Sequence, residues 1–205
     1  MITRAAVIFL GAFAAILMSF VALAVLPSAQ LATIEPTPGT TDYFGENKRG
    51  RAIYIREGCV YCHSQQVRPE GFGADIERGW GPRGSLPGDY VYDRPHLLGT
   101  MRTGPDLHDI ASRQPSADWH YAHLYNPRSV SPGSVMPPYP WLFRVVEVDG
   151  RGEPANAVPL PPEYGPGEGR AVVPTDEAEA LYAYLMTLKL EAAETPASGA
   201  AGATE

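Results

Sequence analysis

Glu57-Gly58-Cys59-Val60-Tyr61-Cys62-His63 is the stretch on which the reading of this chain turns. Two thiols stand three positions apart, and an imidazole follows the second directly. That is the C-x-x-C-H spacing of covalent haem attachment. The physical reason is reach. The two thiols meet the two vinyl groups along one edge of a porphyrin, and His63 falls under the iron as proximal ligand. Cys59 and Cys62 are the only cysteines, so both are consumed and no disulfide framework is possible. Two other chemistries compete for the same residues. A dithiol redox pair wants a βαβ context, which the flanking sequence lacks. A zinc site needs two further ligands. His120 and His123 offer them with a spacing shorter than zinc fingers use, and His63 is then left without a role.

Upstream of the motif, Glu46–Glu57 reads as a short helix, with Gly50, Ile53 and Tyr54 at helical spacing. Residues 27–45 read as a linker rich in turn formers. Residues 5–34 contain no Asp, Glu, Lys or Arg, and Ala5–Leu26 is almost wholly apolar. A helix over 5–26 spans roughly 33 Å, enough for a bilayer core of about 30 Å. It exceeds the apolar region of a cleaved leader, so it is expected to stay as a transmembrane anchor. Arg4 is the one charge before it. Positive-inside reasoning then puts residues 1–4 in the cytoplasm and the remainder on the periplasmic side of a bacterial inner membrane, single-pass.

The chain has 205 residues and a net charge of −7. Beyond the anchor it carries 15 basic against 23 acidic residues, a net −8. Nucleic-acid binding needs a basic stripe, so that class is excluded. Glycine and proline number 21 each, about a fifth of the chain, which breaks up long helices and strands. Residues 64–103 show no sustained period and read as a long ordered loop held by Trp80, Tyr90, Tyr92 and Leu97. Ser116–Tyr125 reads as a helix capped by Ser116 and ended by Asn126-Pro127. Val145–Gly150 reads as the start of a small hairpin, with Asp149-Gly150 as its turn. Residues 175–190 form the clearest helix, with Thr175 as cap and Ala178, Leu181, Leu185 and Leu188 in a 3-and-4 rhythm. The tail 191–205 has the composition of a disordered segment.

Haem iron usually takes a sixth ligand, commonly Met or His. Met18 falls in the anchor, Met186 in a helical apolar stripe, and Met101 in no clear frame. Met136 stands between Pro132 and Pro137, which hold the backbone extended and suit the presentation of a sulfur to a metal. His120 and His123 are the reserve candidates. Arg68, Arg102 and Arg113 are candidates for the haem propionates, each equally readable as an ordinary surface arginine. Trp119 and Trp141 offer indole N–H donors, or are simply core aromatics.

Leu124-x-Asn126-Pro127-Arg128-x-x-x-Pro132-Gly133-Ser134-x-Met136 resembles the segment that carries the methionine ligand in class I cytochromes c. Thr103-Gly104-Pro105-Asp106-Leu107 resembles the turn after their haem motif. The resemblance covers about residues 46–63, 100–143 and 175–190. It implies an all-α, class I cytochrome c-like domain over 46–190 with two long insertions, about 64–99 and 144–173. Helices bearing Gly50 and Tyr54, and Leu181 and Tyr184, are expected to cross. It also implies one covalently bound haem c on Cys59 and Cys62, with His63 and Met136 as axial ligands. Pro105 O would hold His63 Nδ1–H, and Arg113 would stand near a propionate. Arg102 and Trp141 are further candidates around the haem.

The first insertion narrows the resemblance. Ile53–Cys59, Cys62–Pro69, Gly88–Pro95, Arg102–Leu107 and Met136–Leu142 together resemble the monohaem subunit of cbb3-type cytochrome c oxidases. The resemblance implies an electron relay with no active site of its own. Electrons come from a dihaem cytochrome c subunit and go to a haem-copper catalytic subunit, which reduces oxygen to water and pumps protons. It implies those two subunits and membrane lipid as partners, and no small-molecule substrate. The aromatic loop 64–99 then reads as docking surface, or as cover over the haem edge. A tethered cytochrome acting alone, or the cytochrome subunit of a nitric oxide reductase, is the competing assignment.

Overall fold

A computed structural model describes residues 3–148 and 152–192. The expected Asp149-Gly150 turn and nearly all of the expected disordered tail lie outside the described residues. The first element, α1, is one continuous helix over Arg4–Leu31, 28 residues long and apolar enough to cross a membrane. A core helix of a soluble protein would cover such a surface, whereas none of this one is buried in the chain. The helix runs past the expected boundary at Leu26. Pro27 lacks an N–H and crowds the carbonyl one turn back. The chain accommodates it with a π-helical turn at Val21–Val25, where Leu26 N–H donates to Val21 O. Pro27 then sits in the first turn of the renewed α-helix, where a missing donor is tolerated.

After α1 the linker lies against the first insertion, with Thr37 N donating to Gly88 O at 3.2 Å. Helix α2, Gly45–Arg56, buries Gly50, Arg51, Ile53 and Tyr54 on one side. Two short helices follow the insertion. One is α3, Ile110–Arg113, a single turn that the sequence does not signal. The other is α4, Ala117–Tyr125, whose first turn is capped by Ser116 Oγ accepting from Trp119 N at 3.2 Å. The last helix is α5, Asp176–Leu185, capped by Thr175.

Helices α2 and α5 cross as expected. Tyr54 and Tyr184 meet edge to face there, with ring centroids 5.4 Å apart. Around the crossing, Leu124, Leu142, Val172, Ala178, Leu181 and Leu185 form one apolar cluster that also contains Cys59. The fold is mainly helical, with one addition. Strand β1, Phe143–Glu147, pairs antiparallel with β2, Arg170–Pro174, in the register Phe143↔Pro174 to Glu147↔Arg170. The strand begins where the hairpin was expected, but its partner is the far end of the second insertion. That insertion therefore closes on itself as a ribbon. Thr175 ties the ribbon to α5: its Oγ1 donates to Leu142 O at 2.8 Å while accepting from Ala178 N.

Candidate haem site

Helix α2 ends at Arg56 and gives way to a single 3₁₀ turn, Cys59–Tyr61. The turn brings His63 N onto Cys59 O at 3.0 Å. Both cysteines are free thiols, Cys59 buried and Cys62 exposed. Burial, helped by the Glu57 carboxylate, pushes the Cys59 thiol up to about 12. It is therefore neutral at pH 7.

His63 is half-buried, with Nδ1 2.7 Å from Pro105 O. A carbonyl only accepts, so Nδ1 carries the proton and Nε2 keeps its lone pair. Burial holds the imidazole below its ordinary value, against the opposing pull of Pro105 O. A neutral ring with Nε2 unprotonated is the form a metal takes. Gly104 makes this approach possible. Its N–H donates to Cys62 O at 2.9 Å, and a Cβ there would lie 2.2 Å from His63 Cε1. Any side chain at 104 would displace the ring.

The Met136 loop starts at the end of α4. Asn126 Oδ1 accepts from Arg128 N at 3.3 Å, and Ser131 N donates to Pro127 O at 2.9 Å. Tyr139 N returns to Leu124 O at 2.8 Å and closes the loop. Met136 is half-buried and packs against the cluster that contains Cys59. Burial pushes the Tyr139 phenol up to about 12, and the neighbouring Cys59 and Cys62 thiols add to the shift. The cysteine turn and the methionine loop thus share one wall. Met101 is exposed, Met186 packs on the core, and Met18 lies on the bare surface of α1.

The two reserve histidines differ. His120 is buried, and its Nε2 is 2.8 Å from Gln114 O. His123 stacks on Trp119 at 4.5 Å, and its buried Nδ1 has no partner among the described residues. Burial pulls His123 down to about 4, with the nearby His120 and His63 rings contributing.

Arg113 is partly buried and donates through Nη2 to Asp106 O. Its Nε is buried with no partner among the described residues. Arg102 and Trp141 have other commitments. Arg102 donates to Asp75 Oδ1 and Oδ2 at 2.5 and 2.6 Å, to Gln66 O at 2.5 Å and to Ser64 Oγ at 3.0 Å. Trp141 is 60% exposed, not a core aromatic, and its Nε1 donates to Glu57 Oε2 at 2.9 Å. The sequence does not single out Asp75, and Asp106 enters only as part of the Thr103–Leu107 turn; both are buried. No local pattern sets Asp75 apart from other acids of the insertion, such as Glu77, Asp89 and Asp93.

These residues fit a haem by their chemistry. Two free thiols and a neutral imidazole lie on one turn. A half-buried thioether sits on the same wall, and a partly buried cation keeps an unspent donor, as a propionate partner would. Residues 1–156 match the family model described as cytochrome c oxidase, mono-heme subunit/FixO. The chain belongs to this family. No curated protein matches it. As a FixO chain, it is a monohaem cytochrome subunit of a cbb3-type oxidase, an oxidoreductase complex. The FixO match takes in α1, the cysteine turn, the first insertion and the methionine loop. Strand β2 and helix α5 lie beyond it, yet α5 supplies half of the helix crossing and Val172 of β2 joins the same cluster as Cys59.

Proposed function

We propose that this subunit is a membrane-anchored one-electron relay between a dihaem cytochrome subunit and the haem-copper catalytic subunit of its oxidase. Cys59 and Cys62 would hold a single haem c covalently, with His63 and Met136 as its axial ligands. When bound, the haem supplies reversible one-electron chemistry between ferric and ferrous iron. The chain's own residues do the rest. Pro105 O keeps the proton on His63 Nδ1 and so commits Nε2 to the metal. Gly104 lets the backbone pass close under the ring. Arg113 Nε is a buried donor available to a propionate. With His63 and Met136 both on the iron, no position would be open for a substrate and the potential would be raised, which suits delivery to a strong oxidant. Helix α1 holds the group at the membrane on the periplasmic side, raising its effective concentration near a membrane partner.

The observation that carries this reading is the 2.7 Å contact of His63 Nδ1 with Pro105 O inside the C-x-x-C-H frame. The test is purification of the chain from its membrane in detergent, with intact mass and subunit composition measured together. A covalent haem adduct and co-purifying haem-copper and dihaem subunits are expected. Recovery as a lone cytochrome, or with a nitric oxide reductase, overturns the relay between those two subunits. Ready binding of carbon monoxide to the reduced chain overturns the six-coordinate ligand set.

A further inference from the structure

Arg102 joins the first insertion to the segment that holds His63. Its Nη1 donates to both carboxylate oxygens of Asp75, which is 2% exposed and lies within the insertion. Asp75 Oδ2 also accepts from Arg68 N at 2.7 Å, and Asp75 O from Trp80 N at 2.9 Å. The Arg102 guanidinium lies over the Trp80 ring, 5.5 Å from its centroid. Its other donors reach Ser64 Oγ and Gln66 O, the residues just after His63.

Asp106, with no exposed surface, completes the frame. Oδ2 accepts from Ser64 Oγ at 2.5 Å and from Gln66 N at 2.7 Å, and Oδ1 from His108 N at 2.8 Å. Arg102 Nη2 stands 3.7 Å from the same Oδ2. Leu107 N donates to Ser64 O at 2.8 Å, beside the Gly104 N to Cys62 O bond. Residues 62–66 and 102–108 are therefore clipped together on both sides of the His63–Pro105 contact. Every clip runs through Arg102, Asp106 or a backbone pair that they flank.

We propose that Arg102 and Asp75 are positioning residues for His63, and that the first insertion serves as their clamp. This rests on the reading of His63 as the iron ligand. The clamp fixes Pro105 O against Nδ1–H. The strength of that bond sets how much anionic character the imidazole carries, and so how well it donates to ferric iron. The Arg102 guanidinium is bonded to the Asp75 carboxylate at 2.5 and 2.6 Å and reaches Asp106 through Ser64 Oγ, so a charge-conserving change of length suffices to loosen the clamp. The insertion thereby acts on the potential from the proximal side, without touching the iron.

The test uses the full chain, purified in detergent with the subunits that accompany it. Arg102→Lys and Asp75→Glu conserve charge but not reach. Arg78→Lys is the control, because Arg78 lies 5.1 Å from the Trp80 ring centroid with an exposed side chain. The reduction midpoint of the c haem is titrated optically, and haem content is read by intact mass. Arg102→Lys and Asp75→Glu are expected to keep covalent haem and to shift the midpoint upward, with Arg78→Lys at the wild-type value. If Arg102→Lys fails to load haem, the Asp75→Glu midpoint decides alone. Unchanged midpoints with only a lowered Tm overturn the proposal and leave the clamp purely structural. His63→Ala separates the two levels. A wild-type six-coordinate spectrum in that variant overturns the ligand reading and this proposal with it. Loss of the spectrum there, with unmoved midpoints in the clamp variants, overturns this proposal alone.

Discussion

Gly50 of α2 meets the backbone of Ala180 in α5 so closely that a Cβ at position 50 would lie 1.8 Å from the Ala180 carbonyl oxygen. The obstacle is backbone, which no rotamer change relieves. Gly50→Ala is therefore expected to force the helices apart and cost about 3 kcal/mol, the upper end of ordinary overpacking. Thermal unfolding of the detergent-solubilised chain measures it. A loss below about 0.5 kcal/mol would show that α2 and α5 slide without penalty.

Tyr184 contributes a buried hydroxyl within hydrogen-bonding distance of both Gln65 Nε2, at 3.0 Å, and Gln65 Oε1, at 3.1 Å. Gln65 is 1% exposed and lies two residues past His63. Tyr184→Phe keeps the ring and strands the buried amide. The expected cost is about 1–2 kcal/mol, the penalty of an unsatisfied polar group. Chemical denaturation with an unchanged m-value would attribute the loss to the native contact.

Met136→Ala should retain covalent haem by intact mass, lose the weak charge-transfer band of methionine ligation, and bind carbon monoxide once reduced. His123→Ala should leave that band in place. A band that survives Met136→Ala would put the sixth ligand elsewhere in the chain.

Asp75 fixes the sign of one pH effect. Burial opposes ionisation of its carboxyl most strongly, but the Arg102 hydrogen bonds, the Arg68 N–H bond and the two guanidinium charges together outweigh it and hold the group below its ordinary value. A folded-state pKa below the unfolded one contributes stability that is present above about 3.9, the ordinary carboxylate value. That contribution is lost as pH falls through the folded value. The stability gap between wild type and Asp75→Asn should therefore be constant near neutrality and close below about pH 4. Urea midpoints across that range would show it, and a gap that widens in acid would contradict the sign.

Local chemistry makes much of this molecule legible in its sequence. The uncharged stretch announced α1, and Ser116 and Thr175 announced the helix starts they cap. Gly50 and Tyr54 marked the face of α2 that meets α5. What escaped depends on partners far apart in the chain. Strand β1 is five residues long, and its partner lies at the other end of an insertion. Neither segment is long enough for a period to identify it. Arg102 reads equally as a propionate partner or a surface arginine because its carboxylate, Asp75, lies 27 residues upstream. Helix α1 outran its expected end because proline is a stop signal only where the helix cannot widen ahead of it.

The length of α1 has a mechanical meaning. Twenty-eight helical residues rise about 42 Å, roughly 12 Å more than a bilayer core needs. Only a few residues separate Leu31 from Thr37, which is already fastened to Gly88. A membrane-spanning α1 would thus carry the rest of the chain on a mast, with little leash to swing on. The domain's height above the lipid would then be set by a count of helical turns. Lengthening the mast by one full turn would raise that height by 5.4 Å and keep the domain's outlook, whereas two added residues would swing it by about 200°.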